Sequence, residues 1–271
     1  MSLASSNEGI IINEFFLHSA ENTTTPQYIE LYNNSSQVID IANWKLATFD
    51  SFGQIILQTP FISNPNFIQI NNYIDSNGNN VYDTNEPILI EPYSYFIISS
   101  SFCSPINYCT ISSEFYNNMQ SDILMSYLVM IPTEGSFVLS NENDAIIDEI
   151  IYDENLYFPN VDDRGYSWSL ISTDLDNSIP SNWYLSNETE ISEWLYDLGT
   201  EVNNFGSPRA ENQGVFILGD VNLDGELNVL DIVFNVSLVL NGEYNQLGDI
   251  NEDGFLNVLD IVALVDIVLN P

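Results

Sequence analysis

The stretch QYIELYNNSSQVIDIANWKLATF (27–49) decides the fold class. In its first part Tyr28, Glu30 and Tyr32 alternate with Ile29 and Leu31, the two-residue period of a strand with one face in a core. Asn33, Asn34, Ser35 and Ser36 then supply turn chemistry, and VIDIANWKLATF (38–49) reads as a second extended run. Similar runs lie on either side: IIINEFFL (10–17), YSYFIIS (93–99), SFVLS (136–140), AIIDEIIY (145–152) and YSWSLI (166–171). No long amphipathic helix intervenes, so residues 1–214 are expected to form a β-sandwich. The stretches 100–126 and 153–164 read as irregular loops, and insertions are placed near 60–87 and 100–126.

A Gly/Pro/Asn-rich segment, NNFGSPRAENQG (203–214), marks a boundary, and the texture changes behind it. GDVNLDGELNVLDIVFNVSLVLN (219–241) and GDINEDGFLNVLDIVALVDIVLN (248–270) are identical at 16 of 23 aligned positions, offset by 29 residues. Such a duplication predicts two copies of one loop–helix unit packed on each other, because neither can bury its apolar face alone. Residues 215–271 are therefore expected to be a small second domain, with helices over 232–240 and 261–269.

Each copy opens with the oxygen-ligand spacing of an EF-hand loop. Positions 1, 3, 5, 9 and 12 are Asp220, Asn222, Asp224, Asn228 and Asp231 in the first, and Asp249, Asn251, Asp253, Asn257 and Asp260 in the second. Position 7, which donates its carbonyl, is Glu226 or Phe255, and position 6 is Gly225 or Gly254, where a sharp turn needs glycine. Two bound Ca²⁺ ions are expected; the plainer alternative is an acidic turn that caps a helix. DSNGNNVYDTNE (75–86) offers a third loop inside the β domain, with Asp75, Asn77, Asn79, Asp83 and Glu86 at positions 1, 3, 5, 9 and 12 and the Val81 carbonyl at 7. Asn80 stands where glycine is preferred, and a plain Asn/Gly turn is the alternative there.

Two loop–helix units with Asp at position 12, in tandem, resemble the dockerin module over residues 219–271. That resemblance implies two structural calcium ions and docking onto a cohesin-type protein partner. Its partner-reading positions fall on Val229 and Leu230, and on Val258 and Leu259, apolar where cellulosomal dockerins often carry hydroxyls; the alternative is that these four are core. Over roughly residues 8–213, the ordered pieces IIINEFF, QYIELYNNSSQVIDIANWKL, GYSWSLI and GSPRAEN resemble the bacterial lamin-tail domain. It implies an immunoglobulin-like sandwich and no particular activity.

Composition excludes several classes. Asp and Glu number 39 against 3 Lys and Arg, giving a formal net charge of −36, so no basic patch exists for nucleic-acid phosphates or anionic lipid. No apolar run is long enough for a membrane span. Cys103 and Cys109 are expected to form a short-loop disulfide in an oxidising compartment, with two free thiols as the alternative. No catalytic constellation is found: His18 lacks a nucleophile motif, and Glu14 and Glu30 read as hydrogen-bonding strand residues. Trp183, Tyr184, Trp194 and Tyr196 could form a sugar-stacking platform, although core positions suit them better. The expected protein is a secreted or bacterial cell-surface, non-catalytic binding or scaffold protein whose calcium-dependent C-terminal module attaches it to a cohesin-like partner or to itself. The alternatives are a structural subunit assembling into a calcium-braced filament or layer, and a carbohydrate-binding module with a polysaccharide ligand.

Overall fold

A computed structural model describes residues 9–17, 27–61, 68–84, 86–100, 121–125, 128, 130, 134–153, 165–187, 190–197, 202–212, 217–222, 227–251 and 253–270. The chain divides into two compact units, residues 1–212 and 213–271. A fragment ending at Gln213 is expected to melt cooperatively with β-sheet circular dichroism. A molten or aggregating fragment would show that the first unit depends on the second.

The first unit is built from strands β1 (Ile10–Phe16), β2 (Tyr28–Asn33), β3 (Ile39–Asp40), β4 (Lys45–Phe49), β5 (Ile55–Pro60), β6 (Ile68–Ile70), β7 (Leu89–Ile90) and β8 (Tyr95–Ser100). After them come β9 (Ile123–Met125), β10 (Glu134–Ser140), β11 (Ile146–Asp153), β12 (Trp168–Leu170), β13 (Trp183–Leu185), β14 (Ile191–Asp197) and β15 (Val202–Phe205). One sheet runs β13-β12-β1-β2-β8-β9-β6 and a second β11-β10-β4-β5, with the small pairs β14-β15 and β3-β7 beside them. This mostly β architecture is consistent with an immunoglobulin-like sandwich. Its core is continuous between the sheets. Phe15 on β1 packs on Phe137, Tyr152, Trp168 and Trp183 with ring centroids 5.0–6.2 Å apart.

Two expectations about strands need correction. The run 38–49 is not one strand: Asn43 adopts φ 64°, and the backbone turns between β3 and β4. The expected insertions also supply structure, since β5 and β6 fall in or beside 60–87 and β9 lies in 100–126. On β2, Tyr28 and Glu30 are both fully buried.

Tyr28 stacks on Phe16, and the segment Gly206–Asn212 meets the carboxylates beside it. Glu14 and Glu30 stand directly opposite each other on β1 and β2, both at 0 % exposure. Glu14 accepts hydrogen bonds from the Tyr28 hydroxyl at 2.8 Å and from the Ser207 backbone N–H at 2.9 Å. Glu30 accepts from the Arg209 backbone N–H and from Asn13 Nδ2 at 2.9 Å. Arg209 adopts φ 63°, and its guanidinium pairs with Asp122. Asn212 completes the clasp, donating to the Leu170 carbonyl at 2.9 Å and to Asn13 Oδ1 at 3.2 Å. Burial drives the Glu14 carboxyl up to about 7, although the donors around it oppose that rise. It drives Glu30 well above the carboxylate range too, with the facing Glu14 charge adding to it. The pair therefore holds a proton near neutral pH.

A further carboxylate joins the sheets. The register of β1 against β2 shifts between Ile12 and Glu14. Beside that shift the Ile12 N–H donates to Asp148 Oδ2 on β11 at 2.6 Å, and Asn177 Nδ2 donates to the same oxygen at 2.7 Å. Burial raises Asp148 to about 6.

The second unit carries two helices, α1 (Val229–Asn241) and α2 (Val258–Leu269). Each begins three residues earlier than the sequence pattern suggests, because Asn228 and Asn257 cap the N-termini in reciprocal capping boxes with Asp231 and Asp260. Its apolar core is small: Val221, Leu238 and Leu264 are buried, with Leu227, Ile232, Ile250, Leu256 and Val268 packed around them. The duplication is visible in the packing. A methyl added at Gly219 would lie 2.7 Å from Leu264 on α2, and one at Gly248 would lie 2.7 Å from Asn235 on α1. Asn235 and Leu264 are 29 residues apart, so each loop's entry glycine packs on the same position of the other repeat's helix.

Candidate functional site

The three loops share one closure. The position 12 carboxylate reaches back across each loop, accepting N–H groups from its beginning and from position 9. Asp231 accepts from Val221 N at 2.9 Å, Asn222 N at 3.2 Å and Asn228 N at 2.8 Å. Asp260 accepts from Asn251 N at 3.3 Å and Asn257 N at 2.9 Å. Glu86, one methylene longer, accepts from Ser76 N at 2.7 Å and Asp83 N at 3.0 Å.

The position 1 carboxylate fastens the turn from the other side. Asp249 accepts from Asp253 N at 3.2 Å and Gly254 N at 2.8 Å, which are positions 5 and 6. Asp75 accepts from the same two positions, Asn79 N at 3.3 Å and Asn80 N at 2.9 Å, and from Gly78 N at 2.6 Å. The Asn80 N–H is the main reason the exposed Asp75 carboxyl is held below its ordinary range. Position 6 is left-handed in both loops, with Gly254 at φ 82° and Asn80 at φ 59°. Asparagine thus takes the conformation for which glycine is the usual choice.

Within 75–86 the side chains also converge: Asn77 Nδ2 and Asn79 Nδ2 donate to Asp83 Oδ2 at 2.6 and 2.9 Å, drawing positions 3, 5 and 9 together. Val81 is exposed, as a residue contributing only its carbonyl can be. Phe255 at the matching position is 72 % exposed, and its carbonyl accepts from Asn257 Nδ2 at 3.1 Å. Asn228 and Asn257 spend their side-chain oxygens on helix capping, accepting from Leu230 N at 2.8 Å and Leu259 N at 2.9 Å. Asp224 and Glu226 lie outside the described residues.

In the two C-terminal loops the carboxylates at positions 1 and 12 are withdrawn from solvent. Asp220, Asp231, Asp249 and Asp260 are all buried, at 2 % exposure or less. Residues 213–271 contain no Lys, Arg or His, so this unit has no cationic side chain of its own to compensate them. Among the described residues, no three acidic, cysteine or histidine side chains converge into a ready-made metal cluster. The donors that the loops do offer are all oxygens, from carboxylates, amides and main-chain carbonyls. That set suits a hard cation of calcium's kind and not zinc.

Val229, Leu230, Val258 and Leu259 are not core. They are 55–62 % exposed in the first turn of each helix, and Val233 and Val262 extend the same apolar face by one turn. These pairs follow directly behind the capping asparagines, so loop closure and presentation of the apolar pair are one local event.

Other expected sites resolve differently. Trp183 and Tyr184 are buried; Trp183 Nε1 donates to the Asn177 carbonyl at 2.7 Å and Tyr184 donates to Glu190 at 2.7 Å, so neither offers a sugar-stacking face. The side chains of Trp194 and Tyr196, together with His18, Cys103 and Cys109, lie outside the described residues. No helix among the described residues is long and apolar enough to cross a membrane. Sequence reasoning missed a cleft of about 310 Å³ lined by Tyr32, Tyr95, Ser172, Thr173, Glu211 and Asn212 among others, because strand pairing assembles it from distant segments.

Residues 4–155 of the chain match the family model of the lamin tail domain. The match ends before β12 and β13, which complete the same seven-stranded sheet. No curated protein matches the chain.

Proposed function

The chain belongs to the lamin tail domain family, and from that premise we propose that it is a secreted or cell-surface, non-catalytic attachment protein. Its β unit is the carried domain. Its C-terminal unit is a dockerin-like module that folds around two Ca²⁺ ions and docks onto a protein partner through Val229, Leu230, Val258 and Leu259. The observation that carries this reading is the set of four buried carboxylates in a unit without a basic residue. A bound cation would add, to the backbone N–H groups that already hold Asp231, Asp249 and Asp260, the positive charge that this unit's own side chains do not supply. Loop 75–86, closed in the same way, is proposed as a third and more exposed calcium loop that stiffens the approach to β7.

Calorimetric titration of the chelated protein with CaCl₂ tests this. Two calcium ions per chain are expected to bind with a coupled gain of helical circular dichroism, and a third without one. Leu230→Asp with Leu259→Asp should keep the calcium stoichiometry while abolishing attachment. A helical signal that is already complete in ion-free protein and indifferent to calcium would leave the loops as helix-capping turns, and the reading would fall.

A further inference from the structure

We propose that the cleft between β2, β8 and the segment after β12 is a binding site for an organic cation, taking an ammonium head group against the rings of Tyr32 and Tyr95. This does not depend on the calcium module, since every residue of the cleft belongs to the first unit. Tyr32 and Tyr95 are cross-strand partners, with ring centroids 4.9 Å apart and planes inclined at 41°, so the two rings form an angled wall instead of a flat stack. Both rings are only partly buried, and their hydroxyls accept or donate no hydrogen bond among the described residues. Ile171, Ser172 and Thr173 also line the cleft, and the Thr173 carbonyl accepts from Asn34 Nδ2 at 2.7 Å. The side-chain amides of Asn13 and Asn212, which line it too, are spent on each other, on Glu30 and on the Leu170 carbonyl. The free recognition chemistry is therefore two aromatic rings, a few hydroxyls and the exposed Glu211 carboxylate.

The sign of the ligand's charge follows from the surroundings. Glu211 lines the cleft and acts on both rings, and Asp174 acts on Tyr32. After desolvation these carboxylates are among the causes that push both phenols above their usual range, which reports a negative potential at the rings. The described basic side chains are committed elsewhere, Lys45 to Asp144 and Arg209 to Asp122. An anion is repelled here, whereas a cation meets two aromatic rings and a carboxylate lining one cleft, the groups that recognise quaternary ammonium ions. The volume, about 310 Å³, admits a head group of that size and exceeds what a bare metal ion would occupy.

The full chain is titrated with choline chloride at constant ionic strength, observed by saturation-transfer NMR of the methyl groups and by calorimetry. The matched neutral probe is 3,3-dimethylbutan-1-ol, which has the same shape without the charge. Saturable choline binding is expected, with the neutral probe at least about 10-fold weaker. Tyr95→Leu should weaken choline about 10-fold and Glu211→Gln several-fold, with the β-sheet circular dichroism unchanged. Glu211 is exposed, so its variant decides the matter even if the tyrosine variant folds poorly. Equal binding of the two probes, choline binding that survives Glu211→Gln undiminished, or saturable binding of a neutral monosaccharide with choline silent would each overturn the proposal.

Discussion

Asp220→Ala combined with Asp249→Ala will leave residues 229–241 and 258–269 non-helical in millimolar calcium, while the β-sheet signal of the same molecule persists. Each substitution removes the position 1 carboxylate, and in the second loop that carboxylate also holds the N–H groups of positions 5 and 6. Under the calcium reading, a ligand bound only by the folded form stabilises it by RT ln(1 + [L]/Kd), about 4 kcal/mol at 1,000-fold excess over Kd. A unit whose described residues bury only Val221, Leu238, Leu247 and Leu264 among their apolar side chains has little else of that size. Wild-type protein in excess EGTA should behave like the double variant in calcium. Helices that survive both treatments, with metal analysis confirming an ion-free sample, would show that the capping boxes and the small core suffice.

The β unit, by contrast, will grow more stable as pH falls from 8 towards 5. Glu14 holds its proton up to about 7 when folded and only to its ordinary 4.5 when unfolded. Between those values the folded chain binds more protons, so stability is fully present below about 4.5 and is lost as pH rises through 7. Asp148 acts in the same direction between 3.8 and about 6, and Glu30 adds to it. For Glu14 alone the change is on the order of 3 kcal/mol. Urea midpoints of the fragment 1–213 should therefore be lower at pH 8 than at pH 5. Glu14→Gln, which keeps an acceptor for Ser207 N–H without the charge, should raise the midpoint at pH 8 and flatten the profile. A midpoint that rises between pH 5 and pH 8 in the wild type would mean that the pair is ionised at no cost.

What could be read from the sequence was what is local. Strands β1, β2, β10 and β11 announce themselves as runs of β-branched and aromatic residues, and the loop spacing at 75, 220 and 249 needs only twelve consecutive residues to be recognised. The duplication implies mutual packing, and Gly219 and Gly248 do lie against opposite helices. Strands of two or three residues, such as β6, β7 and β9, are too short to carry a period. The alternation Tyr28, Glu30, Tyr32 correctly signals a strand, but which face meets water depends on a segment almost 180 residues away. Polar residues covered by a distant tail look, in sequence, like polar residues facing solvent. The Tyr32–Tyr95 cleft is hidden for the same reason: 63 positions separate its two rings, and only the pairing of β2 with β8 brings them together.

The clasp formed by Gly206–Asn212 determines how the molecule would bear a pull. If the C-terminal unit is held by a partner and the β unit by whatever it carries, tension enters the sandwich at Asn212. There the chain does not peel from an outer strand one bond at a time. Asn212 grips β1 through Asn13 and β12 through the Leu170 carbonyl, and the N–H groups of Ser207 and Arg209 are tied to Glu14 and Glu30 in the middle of the sheet. Several bonds must break together, and breaking them exposes two buried carboxyls. Rupture force should then depend on pH as well as on loading rate, and a tether of this design is strongest in mildly acidic surroundings.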